Sequence, residues 1–105
     1  MRSGDIGLGV FADVILYSLL THIIAKICDL NVGELTVSIG DAHIYLNHIE
    51  PSQQVLTRIP YDLPTLKMPE NLTHINQLVN GEINWNDFDL INYQYHPQIK
   101  LPVAI

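Results

Sequence analysis

Apolar residues are densest near the N-terminus, where the run from 10 to 28 predicts a helix. The segment VFADVILYSLLTHIIAKIC is apolar on nearly every side of a helical projection, so we expect this helix to be buried all round. Residues 31–33 (Asn-Val-Gly) end it. Such a helix needs protein on all sides, which the roughly eighty remaining residues of a small domain barely supply. The pattern therefore predicts a partner chain or a missing N-terminal half.

Three later segments favour extended structure. The first and the third are rich in β-branched or aromatic residues, which suits a pleated strand, the second is a short extended piece, and residues that break regular structure separate them. These segments are 34–39, 63–68 and 88–95. The tail, 96–105, contains two prolines and no period, which predicts either an extended arm or a frayed end.

Two further helices are predicted between these extended segments. Pro51 is well placed to open the first of them at its first position, and the apolar spacing continues to Ile59. The second and weaker candidate covers 71–79, with Asn71 as its cap and Gly81 as its stop. The order of elements predicts an α+β fold in which helices pack on a mixed sheet.

Charge and composition exclude two classes of partner. The 105 residues carry a formal net charge of -6 with only five Lys and Arg, so they offer no basic patch for nucleic acid. The apolar run contains Asp13, His22 and Lys26, which argues against a membrane span. No repeat or low-complexity linker interrupts the chain, so we expect 1–105 to form a single domain, although an incomplete one.

The single cysteine, Cys28, permits no internal disulfide, which fits a reducing, cytoplasmic compartment. Cys28 lies at the end of the apolar run, where a buried thiol is usually inert. Core packing is therefore the role that the sequence predicts for it.

Three runs, in this order along the chain, carry a resemblance to a known family. They are Arg-Ser-Gly-Asp-Ile-Gly-Leu-Gly at 2–9, Gly-Asp-Ala-His-Ile-Tyr-Leu-Asn-His at 40–48, and His-Pro-Gln-Ile-Lys-Leu-Pro-Val-Ala-Ile at 96–105. Together they resemble the C-terminal part of the thymidylate synthase family, whose relatives include the dCMP hydroxymethylases. The resemblance covers essentially the whole chain, and it implies a C-terminal fragment of that family's fold.

The resemblance implies a one-carbon transfer from 5,10-methylenetetrahydrofolate to C5 of a pyrimidine deoxynucleotide, by default from dUMP to dTMP. In such enzymes a cysteine thiolate attacks C6, which makes C5 nucleophilic. The resemblance places that cysteine, in a Pro-Cys-His setting, before Met1, together with several phosphate-binding arginines and much of the folate pocket. We therefore expect no catalytic nucleophile within these residues and no activity from them alone. A homodimer, one half of a split enzyme and a non-catalytic fragment all remain open.

The resemblance also assigns binding roles. Arg2 and Ser3 match ligands of the nucleotide phosphate, for which a guanidinium offers bidentate recognition. His43 and Tyr45 match the pair that hydrogen-bonds the deoxyribose 3′-hydroxyl, and their i, i+2 spacing puts them on one face of an extended segment. Asp5 matches a residue beside both the pyrimidine and the folate ring. The folate-binding positions implied are Asp5, Gly9 and Ala104.

The tail is implied to act as a lid. In the family, the C-terminal residues fold over the occupied site and exclude water from a reactive intermediate. The match at 102–105, Pro-Val-Ala-Ile, favours this interpretation over a disordered apolar end. Two histidines, His43 and His48, would suggest a metal, but their i, i+5 spacing and the lack of a third ligand argue against one.

The identity of the base depends on Asp13. In the synthases the corresponding stretch resembles Gly-x-Pro-Phe-Asn, whereas this chain has Gly-Val-Phe-Ala-Asp at 9–13. An asparagine amide donates to uracil O4 and accepts from N3–H, but a carboxylate can only accept, as it would from the cytosine amino group. Aspartate therefore favours dCMP, while the tail favours a synthase, and both substrates remain open. A purely structural role for Asp13 in the first turn of the helix is the third reading.

Overall fold

A computed structural model describes residues 1–103 of the chain. Its helices and strands follow in this order: β1 Ser3–Asp5, α1 Gly9–Ile27, β2 Asp41–His43, α2 Ile49–Leu56, β3 Thr65–Lys67, α3 Asn76–Val79 and β4 Asp89–Ile91. Two short 3-10 helices lie at Leu46–His48 and Trp85–Asp87. This mixture of helices and small sheets confirms the predicted α+β class.

The described strands form two small sheets in place of one mixed sheet. β1 and β2 run parallel, with Ser3 opposite Asp41, Gly4 opposite Ala42 and Asp5 opposite His43. β3 and β4 run antiparallel. Each strand is three residues long and pairs with a single neighbour. The parallel pair matters most, because it carries the residues of the candidate site.

The chain divides into two compact units. The first contains Met1–Ser18, Leu35–Pro60 and the described tail from His96 onwards. The second contains Leu19–Glu34 and Tyr61–Tyr95. In the second unit, Ala25, Leu72 and Ile83 are the fully buried apolar side chains, at 8%, 1% and 2% exposure.

Helix α1 confirms the apolar run as a helix but not its burial. Of its 19 residues only Ala25 is buried, and Ile15 and Leu16 are 69% and 60% exposed. The prediction of a helix buried all round is therefore wrong for this chain, because its other elements are too short to cover a helix of this length. By length and composition α1 is also apolar enough to cross a membrane, a test that core helices of soluble proteins pass as well.

Cys28 corrects a second expectation. It lies one residue beyond the end of α1 and is exposed. Core packing is therefore wrong as its role within this chain. The helix ends here because Asp29 adopts a positive φ of 53°, so the backbone leaves the helical path immediately after the thiol.

The strand predicted at 34–39 is absent, since this segment forms no ladder. Parallel pairing with β1 begins further on, where the Gly40 and Asp41 amides donate to the Met1 and Arg2 carbonyls at 3.0 and 3.1 Å. The β-branched run was a good strand former, but the pairing partner lies beside the residues that follow it. The predicted extended segments at 63–68 and 88–95 are confirmed in their central residues, as β3 and β4.

The two shorter helices are displaced from their predicted bounds. Pro51 is the third residue of α2 rather than its first; it is tolerated because the first four amides of a helix lack an intrahelical acceptor. Helix α3 is shorter than predicted and takes Ile75 instead of Asn71 as its N-cap. Gly81, with a φ of +74°, follows α3 as expected of a stop.

Candidate functional site

Parallel pairing of β1 and β2 brings together most of the residues that the sequence assigns to nucleotide binding. Asp5 lies opposite His43 in the ladder, and the Ile6 amide donates to the His43 carbonyl at 2.9 Å. Ser3 is the first residue of the same strand, and Arg2 directly precedes it. Two segments about forty residues apart therefore present a hydroxyl, a carboxylate and an imidazole within one small sheet, with a guanidinium immediately before it.

His43 and Tyr45 lie together, as their spacing predicts. Their ring centroids are 5.4 Å apart and the rings are perpendicular, an edge-to-face arrangement that aromatic pairs favour. The His43 Nδ1 atom is 3.3 Å from the Asp41 carbonyl oxygen, and Tyr45 is 44% exposed. Both side chains therefore remain accessible to a ligand; their contact with a sugar hydroxyl stays a prediction.

The Asp5 carboxylate is fixed by a local hydrogen bond. Its Oδ1 atom accepts from the Gly7 amide at 2.9 Å, and its side chain is 20% exposed. The same oxygen is 3.9 Å from the Nδ1 atom of His48. A carboxylate held in this way keeps acceptor capacity on its second oxygen for a ligand.

Arg2 and Ser3 are exposed at the N-terminal end of β1. Within residues 1–103 no hydrogen bond or ion pair engages the Arg2 guanidinium. The guanidinium therefore retains its full set of donors for an anion.

Gly9 and Asp13 both lie in α1, of which Gly9 is the first residue. Asp13 is half-buried and is the fifth residue of the helix, so the expected location in the first turn is wrong and no acidic residue occupies that turn. A favourable interaction with the helix dipole falls off beyond the first turn. This weakens the purely structural reading of Asp13. Ala104 lies outside the described residues.

His48 is the residue that sequence reasoning missed. The sequence suggests a role for it only as a metal ligand, yet its side chain is completely buried. Its Nε2 atom is 2.6 Å from the Pro102 carbonyl oxygen in the tail. No sequence signal marks this contact, because it joins residues 54 positions apart in the chain. Within residues 1–103, no cluster of three or more His, Cys, Asp or Glu side chains could hold a metal ion.

An open apolar cavity of about 420 Å³ also lies in the first unit. Its walls include Ile6, Phe11, Val55, Leu101 and the single charged residue Arg58. The Arg58 guanidinium donates to the Pro97 carbonyl at 2.7 Å, so this charge is already engaged by the tail.

A family model described as thymidylate synthase matches residues 1–105. A short parallel pair that carries a hydroxyl, a carboxylate and an imidazole is compatible with many kinds of binding site. The match is more specific: the chain belongs to the thymidylate synthase family.

Individual relatives agree with this assignment. The chain is 48% identical to a thymidylate synthase of Staphylococcus haemolyticus over 104 residues, covering 99% of this chain and 31% of the relative. It is 44% identical to one of Varicella-zoster virus, covering 33% of that protein. The thermostable thymidylate synthase A of Bacillus subtilis superposes with a TM-score of 0.88 at 29% identity, over 99% of this chain and 36% of that one. The chain therefore spans about a third of the length of these relatives.

Proposed function

We propose that these residues form the nucleotide-binding part of a thymidylate synthase-type methyltransferase. The reaction would transfer a one-carbon unit from 5,10-methylenetetrahydrofolate to C5 of dUMP. The observation that carries the proposal is the register of β1 and β2, which pairs Asp5 with His43. That register gathers the matched residues of two separate runs of sequence.

Each group in this sheet has a chemical task that suits one part of a nucleotide. The guanidinium of Arg2, which no residue within 1–103 engages, and the hydroxyl of Ser3 would bind the phosphate. The perpendicular His43–Tyr45 pair would accept from and donate to the 3′-hydroxyl, since a hydroxyl does both. Asp5 would lie between the base and the folate ring.

The nucleophile is proposed to come from the part of the family's length that these residues do not span. Attack at C6 requires a thiolate, and the Pro-Cys-His setting of the family has no counterpart at Cys28, where the sequence reads Ile-Cys-Asp. The exposed apolar surface of α1 also supports the presence of further protein, either the remainder of a family-length chain or a second subunit of a homodimer. A cytoplasmic location is part of the same proposal.

A cytosine nucleotide is the second candidate substrate, and Asp13 is the observation that favours it. Its carboxylate is half-buried in the second turn of α1, so the helix dipole does not account for it. An ionised carboxylate accepts from the cytosine amino group and donates nothing to uracil O4. A dCMP methylase or hydroxymethylase therefore remains the alternative within the same family.

The proposal is tested in a chimera in which this chain replaces the matching 104 residues of the Staphylococcus haemolyticus thymidylate synthase. The relative would supply the nucleophilic cysteine, and this chain would supply the proposed nucleotide site. Purified chimera is assayed with methylenetetrahydrofolate and with dUMP or dCMP in separate reactions. We expect C5 transfer to one of the two nucleotides. A folded chimera that transfers to neither would contradict the proposal.

A further inference from the structure

His48 lies at a junction that the proposed nucleotide contacts do not use. Its imidazole has no exposed surface and contacts two segments that are remote in sequence. On one side is the tail, where the Pro102 carbonyl lies 2.6 Å from Nε2. On the other side is the turn after β1, where Asp5 Oδ1 lies 3.9 Å from Nδ1. One ring thus connects the tail to a residue of the candidate site.

Hydrogen-bond chemistry fixes the proton on the tail side of this ring. A carbonyl oxygen only accepts, so Nε2 must carry the proton and donate to Pro102. The opposite nitrogen, Nδ1, is buried and makes no hydrogen bond to any described residue. Leaving such an atom without a partner is costly in a protein interior. A hydrogen bond from Nδ1 to Asp5 Oδ1 would need a second proton on the ring and a separation about 1 Å shorter.

Gly7 makes the close approach of the ring possible. A Cβ atom at this position would lie 2.6 Å from His48 Nδ1 and 3.2 Å from its Cγ, closer than packed atoms tolerate. The Gly7 amide in turn donates to Asp5 Oδ1. Gly7 therefore has two roles. Its lack of a side chain leaves room for the His48 imidazole, and its amide hydrogen-bonds the Asp5 carboxylate.

We propose that His48 is a positioning residue that couples the C-terminal tail to Asp5. Its Nε2–H group holds the tail at Pro102, while its Nδ1 edge lies against the Asp5–Gly7 turn. The placement of the tail and the orientation of the Asp5 carboxylate are therefore set together by one buried ring. The kinetic consequence rests on the proposed function, whereas the structural coupling does not.

Four variants of the chimera test this coupling. His48→Met fills a similar volume without a donor, and His48→Gln restores an N–H group at the reach of Nε2. Gly7→Ala leaves the imidazole intact but displaces it, since the new Cβ would meet Nδ1. Gly33→Ala is the matched control, because a Cβ there meets nothing within 4 Å.

The first measurement is the rate of tryptic cleavage after Lys100, which lies in the tail two residues before Pro102. We expect this cleavage rate to rise on the order of tenfold in His48→Met and in Gly7→Ala, because losing one hydrogen bond releases the tail more often. His48→Gln should return it towards the parent value, and Gly33→Ala should not change it. The second measurement is steady-state kinetics, where the two damaging variants should raise KM for the folate more than KM for the nucleotide.

The outcomes separate the two proposals. Cleavage in the tail is measured without turnover, so it reports on His48 even if the chimera transfers no carbon. A cleavage rate that stays at the parent value in a folded His48→Met or Gly7→Ala variant would overturn the coupling. Equal loss of stability in His48→Met and His48→Gln, with no difference in tail cleavage between them, would show that His48 is only a core residue.

Discussion

Single atoms decide what the candidate site can recognise, and the Tyr45 hydroxyl is the simplest case. Tyr45 is half-exposed and its ring lies against those of His43 and His48, with centroids 5.4 and 5.7 Å away. The ring supplies these contacts, while only the hydroxyl is available for a sugar. Removing the oxygen therefore separates packing from binding.

Replacing Tyr45 with Phe in the chimera should weaken nucleotide binding several-fold, since a typical hydrogen bond is worth about 1 kcal/mol net. Thermal stability should change little, because the ring and its contacts remain. Isothermal titration of the nucleotide and a thermal melt measure the two effects. A large loss of stability with unchanged affinity would show that Tyr45 is a packing residue.

The Asp13 carboxylate sets the base preference in the alternative proposal. Asp13→Asn in the chimera should shift the ratio of kcat/KM values towards dUMP, because the amide can donate to O4. A hydrogen-bonding site of this kind can discriminate by on the order of 10^4. The ratio for dUMP over dCMP is measured before and after the substitution. If dUMP is already preferred and the ratio does not move, Asp13 does not read the base.

The sequence predicted candidate site residues but not the residue that supports them. Arg2, Ser3, His43 and Tyr45 are predicted because their runs resemble the family; their binding roles stay predictions, and the β1–β2 register places Ser3 and His43 in one sheet. His48 was missed because burial and a contact across 54 residues leave no mark in the local pattern. A hydrogen bond between residues far apart in the chain produces no periodic sequence pattern from which it could be predicted.

At the scale of elements, side-chain hydrogen bonds replace the helix cap that the sequence suggested at Asn71. Asn71 was predicted to cap a helix over 71–79, but the helix begins at Asn76. Gln77 organises the intervening turn instead. Its Oε1 atom accepts from the Thr73 and His74 amides at 2.9 and 3.0 Å, and its Nε2 atom donates to the Asn71 carbonyl at 3.0 Å.

Gln77→Ala should therefore lower the free energy of unfolding of the chimera by about 1–2 kcal/mol, since it leaves several backbone groups without their partners. Asn76→Ala is the control on the same short helix, because the hydrogen bond at Asn76 uses its backbone amide. Urea unfolding of both variants measures the difference. Equal effects of the two substitutions would show that the Gln77 contacts contribute nothing beyond helix propensity.

The strand predicted at 34–39 shows a second limit at this scale. Propensity correctly found β-branched residues there, but a strand exists only where a partner pairs with it. The segment that pairs with β1 begins only at Gly40. β1 itself, at Ser3–Asp5, contains two small residues that give no strand signal. Pairing between segments with weak propensity follows from tertiary structure, which a single sequence does not display.

At the scale of the molecule, the main open question is what covers the exposed apolar surface of α1. Phe11, Ile15 and Leu16 are 57%, 69% and 60% exposed, although the sequence predicted burial all round. The sequence pattern also predicted that further protein covers this helix, and this stays a prediction. The relatives that the chain matches are about three times as long.

The isolated chain should therefore self-associate, because an exposed apolar patch of this kind is buried by another copy when nothing else covers it. Light scattering on the 105-residue polypeptide measures the association. Leu16→Lys should reduce it, whereas Gln53→Lys, which adds the same charge at an exposed position of α2, should reduce it less. A monomer with a sharp cooperative melt would contradict this prediction.

The measurement that tests the central claim most directly compares the chimera's affinity for dUMP and for deoxyuridine, with and without Arg2→Gln. The two ligands differ only in the phosphate that Arg2 is proposed to bind. A hydrogen bond to a charged group is worth about 1.5–3 kcal/mol, so affinity for dUMP should fall roughly tenfold to a hundredfold. Affinity for deoxyuridine should stay unchanged. If both ligands weaken equally, or if neither does, the assignment of this sheet to nucleotide phosphate binding is wrong.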